Sequence, residues 1–214
     1  MHTNRTGIFL LELVKQAKKD QSKEMFSYLS GYLCHYALDK NTHPLINQLA
    51  GKENNKHEAI ERRLDRIMLE KQGMTLKNRP ITKKYFPAFL PEEMKPALNS
   101  AFENVYGWHE SWHLLKTSFI HMKWYHYITE DPTKLFDKTI GRMIPKAKGL
   151  SFQTNCFELE SYDWFWPVFE TSINEAINFI SKSYEYFSGK ISEKELSECI
   201  GNRSYSTGET LNDY

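Results

Sequence analysis

The sequence predicts an all-α protein built as one multi-helix bundle, and three observations carry that expectation. Apolar residues recur at the three- and four-residue spacing of a helix through most of the chain. Helix starts are marked by Asn or Ser with Glu three positions on, or by Pro in a first turn. No run shows the strict apolar and polar alternation of a half-buried strand. At 214 residues, without a stretch of linker composition, the chain is long enough for one domain with a substantial core. That domain is expected over residues 1–201, followed by a polar and loosely ordered tail over 202–214.

The first helix is predicted over residues 7–19, where Ile8, Leu11, Val14 and Ala17 keep helical spacing and Thr6 can serve as N-cap. A second is predicted from Ser22 to Asp39, ended by Asn41 and Pro44. The third opens at Asn55, with Glu58 completing a capping box, and continues through Ile60, Leu64 and Ile67 to Gly73. Residues 75–91 contain Pro80, Pro87 and Pro91 and read as a connecting loop, with Pro91 as the first residue of a helix to 105. The aromatic-rich stretch from Trp108 to Ile128 reads as helical. Asp131 and Pro132 read as the cap and first residue of a helix to Met143, and residues 145–162 as irregular. Helical spacing returns from Asp163 to Phe187 through Val168, Ile173, Ile177 and Ile180. Ser192 with Glu195 forms a second capping box for a short helix to Ile200, closed by Gly201.

Composition narrows the function classes. With 28 basic and 27 acidic residues and a net charge of +1, nothing in the overall charge asks for a nucleic-acid backbone or an anionic membrane as an obligatory partner. Cys34, Cys156 and Cys199 are odd in number and widely spaced, which suggests neither a disulfide framework nor a cysteine zinc site and fits a reducing compartment. The apolar run from Ile8 to Val14 is short and interrupted by Glu12, unlike a membrane span or a signal-peptide core, so a cytoplasmic location is expected. Aromatic residues make up 14% of the chain and are expected mainly in the core.

The chemistry concentrates in one short region. His35 and Asp39, and again His57 and Glu61, are four residues apart, so each pair shares a helix face and can converge on one ion. His43 follows Asp39 by four residues, beside Pro44, in what reads as a turn leaving the second helix. Imidazole nitrogens and carboxylate oxygens are the usual ligands of a catalytic zinc ion, and a helical bundle is a common place to assemble them. Gly31, one turn before His35, would leave room for a metal or a neighbouring backbone.

The segments G-Y-L-C-H-Y-A-L-D-K-N-T-H-P, Gly31–Pro44, and K-H-E-A-I-E-R-R-L-D, Lys56–Asp65, resemble the core of bacterial zinc-dependent phospholipase C-like proteins. Secreted phospholipases C and S1/P1-type nucleases share that helical metal-site design. The resemblance implies a bundle of the phospholipase C and P1 nuclease type in which His35, Asp39, His43, His57 and Glu61 bind zinc. The opening H-T-x3-G-x-F-L-L-x-L, His2–Leu13, also resembles a family segment in which a histidine is a ligand, which makes His2 a sixth candidate. The tail N-R-S-Y-S-T-G is similar as well. From the resemblance follow one to three zinc ions and hydrolysis of a small-molecule phosphodiester, a phospholipid head group or a related compound, with no nucleic-acid partner.

The family also carries a further N-terminal region, with a ligand helix and a G-P-D-type turn whose aspartate is implicated in activating water, and this sequence begins after the position it would occupy. The ion expected to survive without that region is the one held by His43, His57 and Glu61. A second ion, held by His2, His35 and Asp39, would be short of ligands. No general base is assigned, and the alternative function is a catalytically impaired member in which zinc staples helices together.

Two rival signals remain. His109-Glu110-Ser111-Trp112-His113 matches the HExxH pattern of zinc proteases, with Glu130 as a conceivable third ligand. Tyr162, Trp164, Phe165, Trp166 and Phe169 could line an acyl pocket, although core packing explains them too. His121 and His126 read as ordinary helix residues, and neither a glycine-rich phosphate loop nor a G-x-S-x-G elbow is present.

Overall fold

The computed structural model describes residues 4–51, 54–74, 87–129 and 163–212. The readings made above for the loop from Thr75, the helix at 131–143 and the irregular stretch 145–162 fall mostly or wholly outside those residues. Among the described residues the protein is all-α, with seven helices and no strand beyond one isolated bridge. The helices are α1 (Thr6–Asp20), α2 (Lys23–Ala50), α3 (Asn54–Lys71), α4 (Lys95–Tyr106), α5 (Ser111–Thr129), α6 (Phe165–Phe187) and α7 (Glu193–Ile200), and a 3-10 turn at Glu92–Met94 leads into α4.

The chain packs as two compact units, one made of Met1–Gln48, Pro91–His113 and Ser161–Tyr214, the other of Leu49–Leu90 and Leu114–Glu160. In the first, α1 packs on α4 and α7, and α7 on α6. Leu10, Leu13, Leu33, Tyr36, Leu98 and Leu196 are fully buried there; of the stripe expected for α1, Val14 and Ala17 are buried, whereas Ile8 and Leu11 are half-buried and Leu10 and Leu13 take the core positions. In the second, Ile60, Leu64 and Ile67 form the buried stripe of α3.

Several element boundaries differ from the sequence expectation: α3 begins at Asn54, so Asn55 is inside it and not its cap, α5 begins at Ser111 and not Trp108, α6 at Phe165 and not Asp163, and three further differences have a clear physical reason. Helix α2 does not end at Asp39 but runs 28 residues to Ala50, with Pro44 inside it. A proline costs a helix the hydrogen bond to the carbonyl four residues back and crowds that carbonyl. Here that carbonyl belongs to Lys40, and the C-terminal segment covers it. Gly208, at φ +69°, sits so close that a Cβ would lie 2.5 Å from the Lys40 oxygen and 2.7 Å from Pro44 Cγ. Asn41, expected to help break the helix, donates instead to the Ala37 carbonyl one turn back, at 2.9 Å. Burial of Ile46 and Ala50 gives the extra turns an apolar anchor.

Thr6 does not cap α1; it is the first helical residue, and its hydroxyl donates to the Arg203 carbonyl. The cap comes from elsewhere: Asn202 Oδ1 accepts the Gly7 N–H at 2.9 Å. Helix α5 is capped in the same way, with Asn99 Oδ1 accepting the Trp112 N–H at 2.8 Å. Pro91 precedes the 3-10 turn, and it is Pro96 that occupies the first turn of α4. The capping box of Ser192 and Glu195 and the Gly201 C-cap stand where expected.

The tail is held in place. Residues 202–211 close on themselves through the Arg203–Thr210 bridge and the Leu211 N–H to Asn202 carbonyl bond at 2.8 Å. Ser204 and Tyr205 are buried, and the Arg203 N–H donates to the Tyr36 hydroxyl at 3.1 Å. Its ties to α1 and α2 run through Asn202 and through backbone groups, which composition does not record.

Candidate metal centre

Because α2 continues through Pro44, His35, Asp39 and His43 stand at successive four-residue steps of one helix, and His43 is not in a turn. His35 Nε2 lies 3.3 Å from Asp39 Oδ2. The carboxylate is buried, at 8% exposure, while nearly half of the imidazole faces solvent. The His35 ring rests against Tyr205 at a centroid distance of 5.3 Å and meets Tyr32 edge-on at 6.4 Å. Burial, with a smaller contribution from the Asp39 charge, pushes the phenols of Tyr32 and Tyr205 well above the usual tyrosine range. Both therefore stay protonated and neutral beside the carboxylate.

His43 is half-buried and its Nδ1–H donates to the Tyr205 carbonyl at 2.7 Å. A carbonyl can only accept, so this bond places the proton on Nδ1 and leaves the Nε2 lone pair as the donor to a ligand. Metal-bound histidines are oriented in this manner by a partner on the other ring nitrogen. Asn47 Nδ2 donates to the Ser206 carbonyl at 2.6 Å one turn further along, so consecutive tail carbonyls are read by α2.

On α3, His57 Nε2 lies 3.0 Å from Glu61 Oε1, and both side chains are partly exposed. His43, His57 and Glu61 are of the types that could together hold a metal ion. Two imidazoles and a carboxylate are a catalytic zinc donor set.

The remaining candidates sort out by geometry. His2 lies outside the described residues. Gly31 is exposed, and a Cβ there would meet nothing within 4 Å, so the space it was expected to clear is already open. The HExxH pattern has no zinc-protease geometry. Glu110 adopts a left-handed conformation at φ 53° and α5 starts only at Ser111, so His109 is not one turn before His113 on a common helix. His109 is instead paired with Glu103 at 3.1 Å. Trp164, Phe165, Trp166 and Phe169 pack against one another at the start of α6; Tyr162 and Glu130 lie outside the described residues.

Sequence reasoning assigned no role to Tyr205, whose carbonyl orients His43 and whose ring supports His35. The signal was present in the segment around it, Asn202–Gly208, but a backbone carbonyl leaves no mark in a residue pattern. Among the described residues no helix is long and apolar enough to cross a membrane.

No curated protein and no solved structure gives a significant match. A family model described as zinc dependent phospholipase C matches residues 1–113, a span that holds all six candidate ligands and the whole of α1 to α4. The chain belongs to the zinc-dependent phospholipase C family.

Proposed function

We propose that this chain is a zinc-dependent phosphodiester hydrolase that cleaves a phospholipid head group or a related phosphodiester. The observation that carries the reading is the family match across every candidate ligand position, and the grouping of His43, His57 and Glu61 supports it. In this reading His43 offers Nε2, His57 an imidazole nitrogen and Glu61 a carboxylate oxygen to one ion. His35 and Asp39, with His2, serve a second. Zinc bound there supplies a water of lowered pKa and neutralises charge on the phosphoryl oxygens. The protein's own part is to fix the ligands: the Tyr205 carbonyl holds the His43 tautomer, and the buried Asp39 holds the His35 ring. A cytoplasmic setting belongs to the same proposal, supported by the free thiols of Cys34 and Cys199.

The test is hydrolysis of short-chain phosphatidylcholine, below its aggregation concentration, by protein reconstituted with zinc. Turnover that chelation abolishes, that zinc restores and that His57→Ala lacks is the expected result. Zinc bound without hydrolysis of this or a simple phosphodiester would assign the metal a stapling role and reject the hydrolase.

A further inference from the structure

Helix α6 carries two adjacent stripes of side chains, and its neighbours cover only one of them. Ser172, Ala176, Phe179 and Ser183 are buried, with the Phe179 ring 5.9 Å from that of Tyr36 on α2. One residue further on, Ile173, Ile177, Ile180 and Tyr184 repeat the same steps of four, three and four. At 100° per residue those four fall within an arc of about 60°. Ile173 is 43% exposed, Ile177 61% and Tyr184 55%, and Ile180 between them is half-buried. Trp166 and Phe187 extend the stripe, each seven residues from the nearest member of the series through Ile173 and Ile180. Apolar residues repeating in sevens through three turns or more are the mark of a helix that packs along another helix. Phe26 of α2 braces one end of the stripe, its ring 4.5 Å from Tyr184 and 5.9 Å from Phe187.

The charges around the stripe select its occupant. Over residues 171–181 the exposed positions are Thr171, Ile173, Asn174, Ile177, Asn178 and Ser181, and none of them is charged. Glu175, the one charged residue in that stretch, is turned toward Lys40, whose Nζ lies 3.1 Å away. Two identical surfaces meeting about a twofold axis bring each central charge close to its own like, so such an interface must be neutral at its centre. A different partner is ordinarily chosen by complementary charges, and the centre of this face offers none. The ends set the direction of pairing. Glu170, exposed, opens the stripe, and Lys190, exposed, stands just beyond the last turn of α6. A parallel pair sets Glu170 against Glu170. In an antiparallel pair each Glu170 lies at the end where the other copy's Lys190 stands, and the two helix dipoles oppose.

We propose that residues 173–184 of α6 pair two copies of this chain, antiparallel about a twofold axis, with Ile177 of each copy against Ile180 of the other. The pairing goes beyond the phosphodiesterase reading and needs neither zinc nor turnover, so the two stand or fall separately.

The experiment is sedimentation equilibrium of the full chain, with and without zinc. A seam this narrow is expected to give a dimer that dissociates on the order of 10 μM. Ile177→Glu is expected to weaken the dimer at least about tenfold by setting two carboxylates in the seam. An equimolar mixture of the Ile177→Glu and Ile177→Lys variants is expected to associate again. Circular dichroism checks that each variant folds, which the exposure of Ile177 favours. Glu170→Lys is expected to weaken the dimer about threefold, and Lys190→Glu added to it to restore the affinity. A control variant, Leu114→Ser with Trp124→Ser, removes exposed apolar side chains from α5 and is expected to change nothing. A chain that stays monomeric to about 200 μM overturns the proposal, as does a dimer that Ile177→Glu leaves intact or that the α5 variant dissociates equally. A dimer sensitive to Ile177→Glu but indifferent to Glu170→Lys overturns the antiparallel arrangement.

Discussion

The two histidine and carboxylate pairs are indistinguishable in spacing and differ in their surroundings. On α2 the carboxylate is buried and the imidazole is braced by the rings of Tyr205 and Tyr32. On α3 both members of the pair are partly exposed, at a closer 3.0 Å. Four-residue spacing thus guarantees that two side chains meet but says nothing about what else meets them. The α2 pair is braced by the C-terminal segment, while the α3 pair, in the function proposed above, shares its ion with His43. We take the second as the stronger zinc site and the first as the more constrained.

Breaking the pairs one at a time separates these roles. The largest effect is expected for His57→Ala, which should lower zinc affinity by more than about 100-fold, read by competition with a chromophoric chelator. His35→Ala should leave the first zinc bound and reduce only a second, weaker stoichiometric step. Equal losses in the two variants would erase the distinction drawn here.

Next in size is the tail. Gly208→Ala forces a Cβ against the Lys40 carbonyl and Pro44 from a left-handed backbone, and is expected to cost about 2 kcal/mol or more. Thermal denaturation measures it. Because the same segment carries the Tyr205 carbonyl, the variant should also weaken zinc binding about tenfold, the scale of a lost orienting hydrogen bond. A destabilised protein with unchanged zinc affinity would show that the tail supports the helix and not the metal.

The smallest effect is expected from Ser192→Ala at the start of α7, which removes a capping box in the first unit and should cost about 1 kcal/mol without changing zinc affinity. It is the reference against which the tail variant's effect on zinc is judged.

What the sequence made legible follows the range of the interactions. Capping boxes and apolar stripes act within a few residues, and the α7 cap and, through Val14 and Ala17, part of the core of α1 were readable from them. The α2 boundary was not, because the helix continues through Pro44 where the segment around Gly208, 164 positions away in the chain, packs against it. The α1 cap failed for the same reason, with Asn202 supplying what Thr6 was expected to supply. In the metal centre the ligand types and their spacing were visible, while the carbonyl that sets the His43 tautomer was not. The HExxH pattern shows the converse error: its residues are correct, but the left-handed Glu110 places the helix start in the middle of the pattern.

The central claim is that two imidazoles and a carboxylate, from His43, His57 and Glu61, hold zinc. X-ray absorption at the zinc edge of protein loaded with one equivalent tests it most directly. The account predicts a shell of nitrogen and oxygen at about 2.0–2.1 Å with imidazole scattering and no sulfur, and loss of part of that scattering in His43→Ala. A sulfur shell at about 2.3 Å, or a spectrum of hydrated zinc unchanged by the substitution, would contradict it.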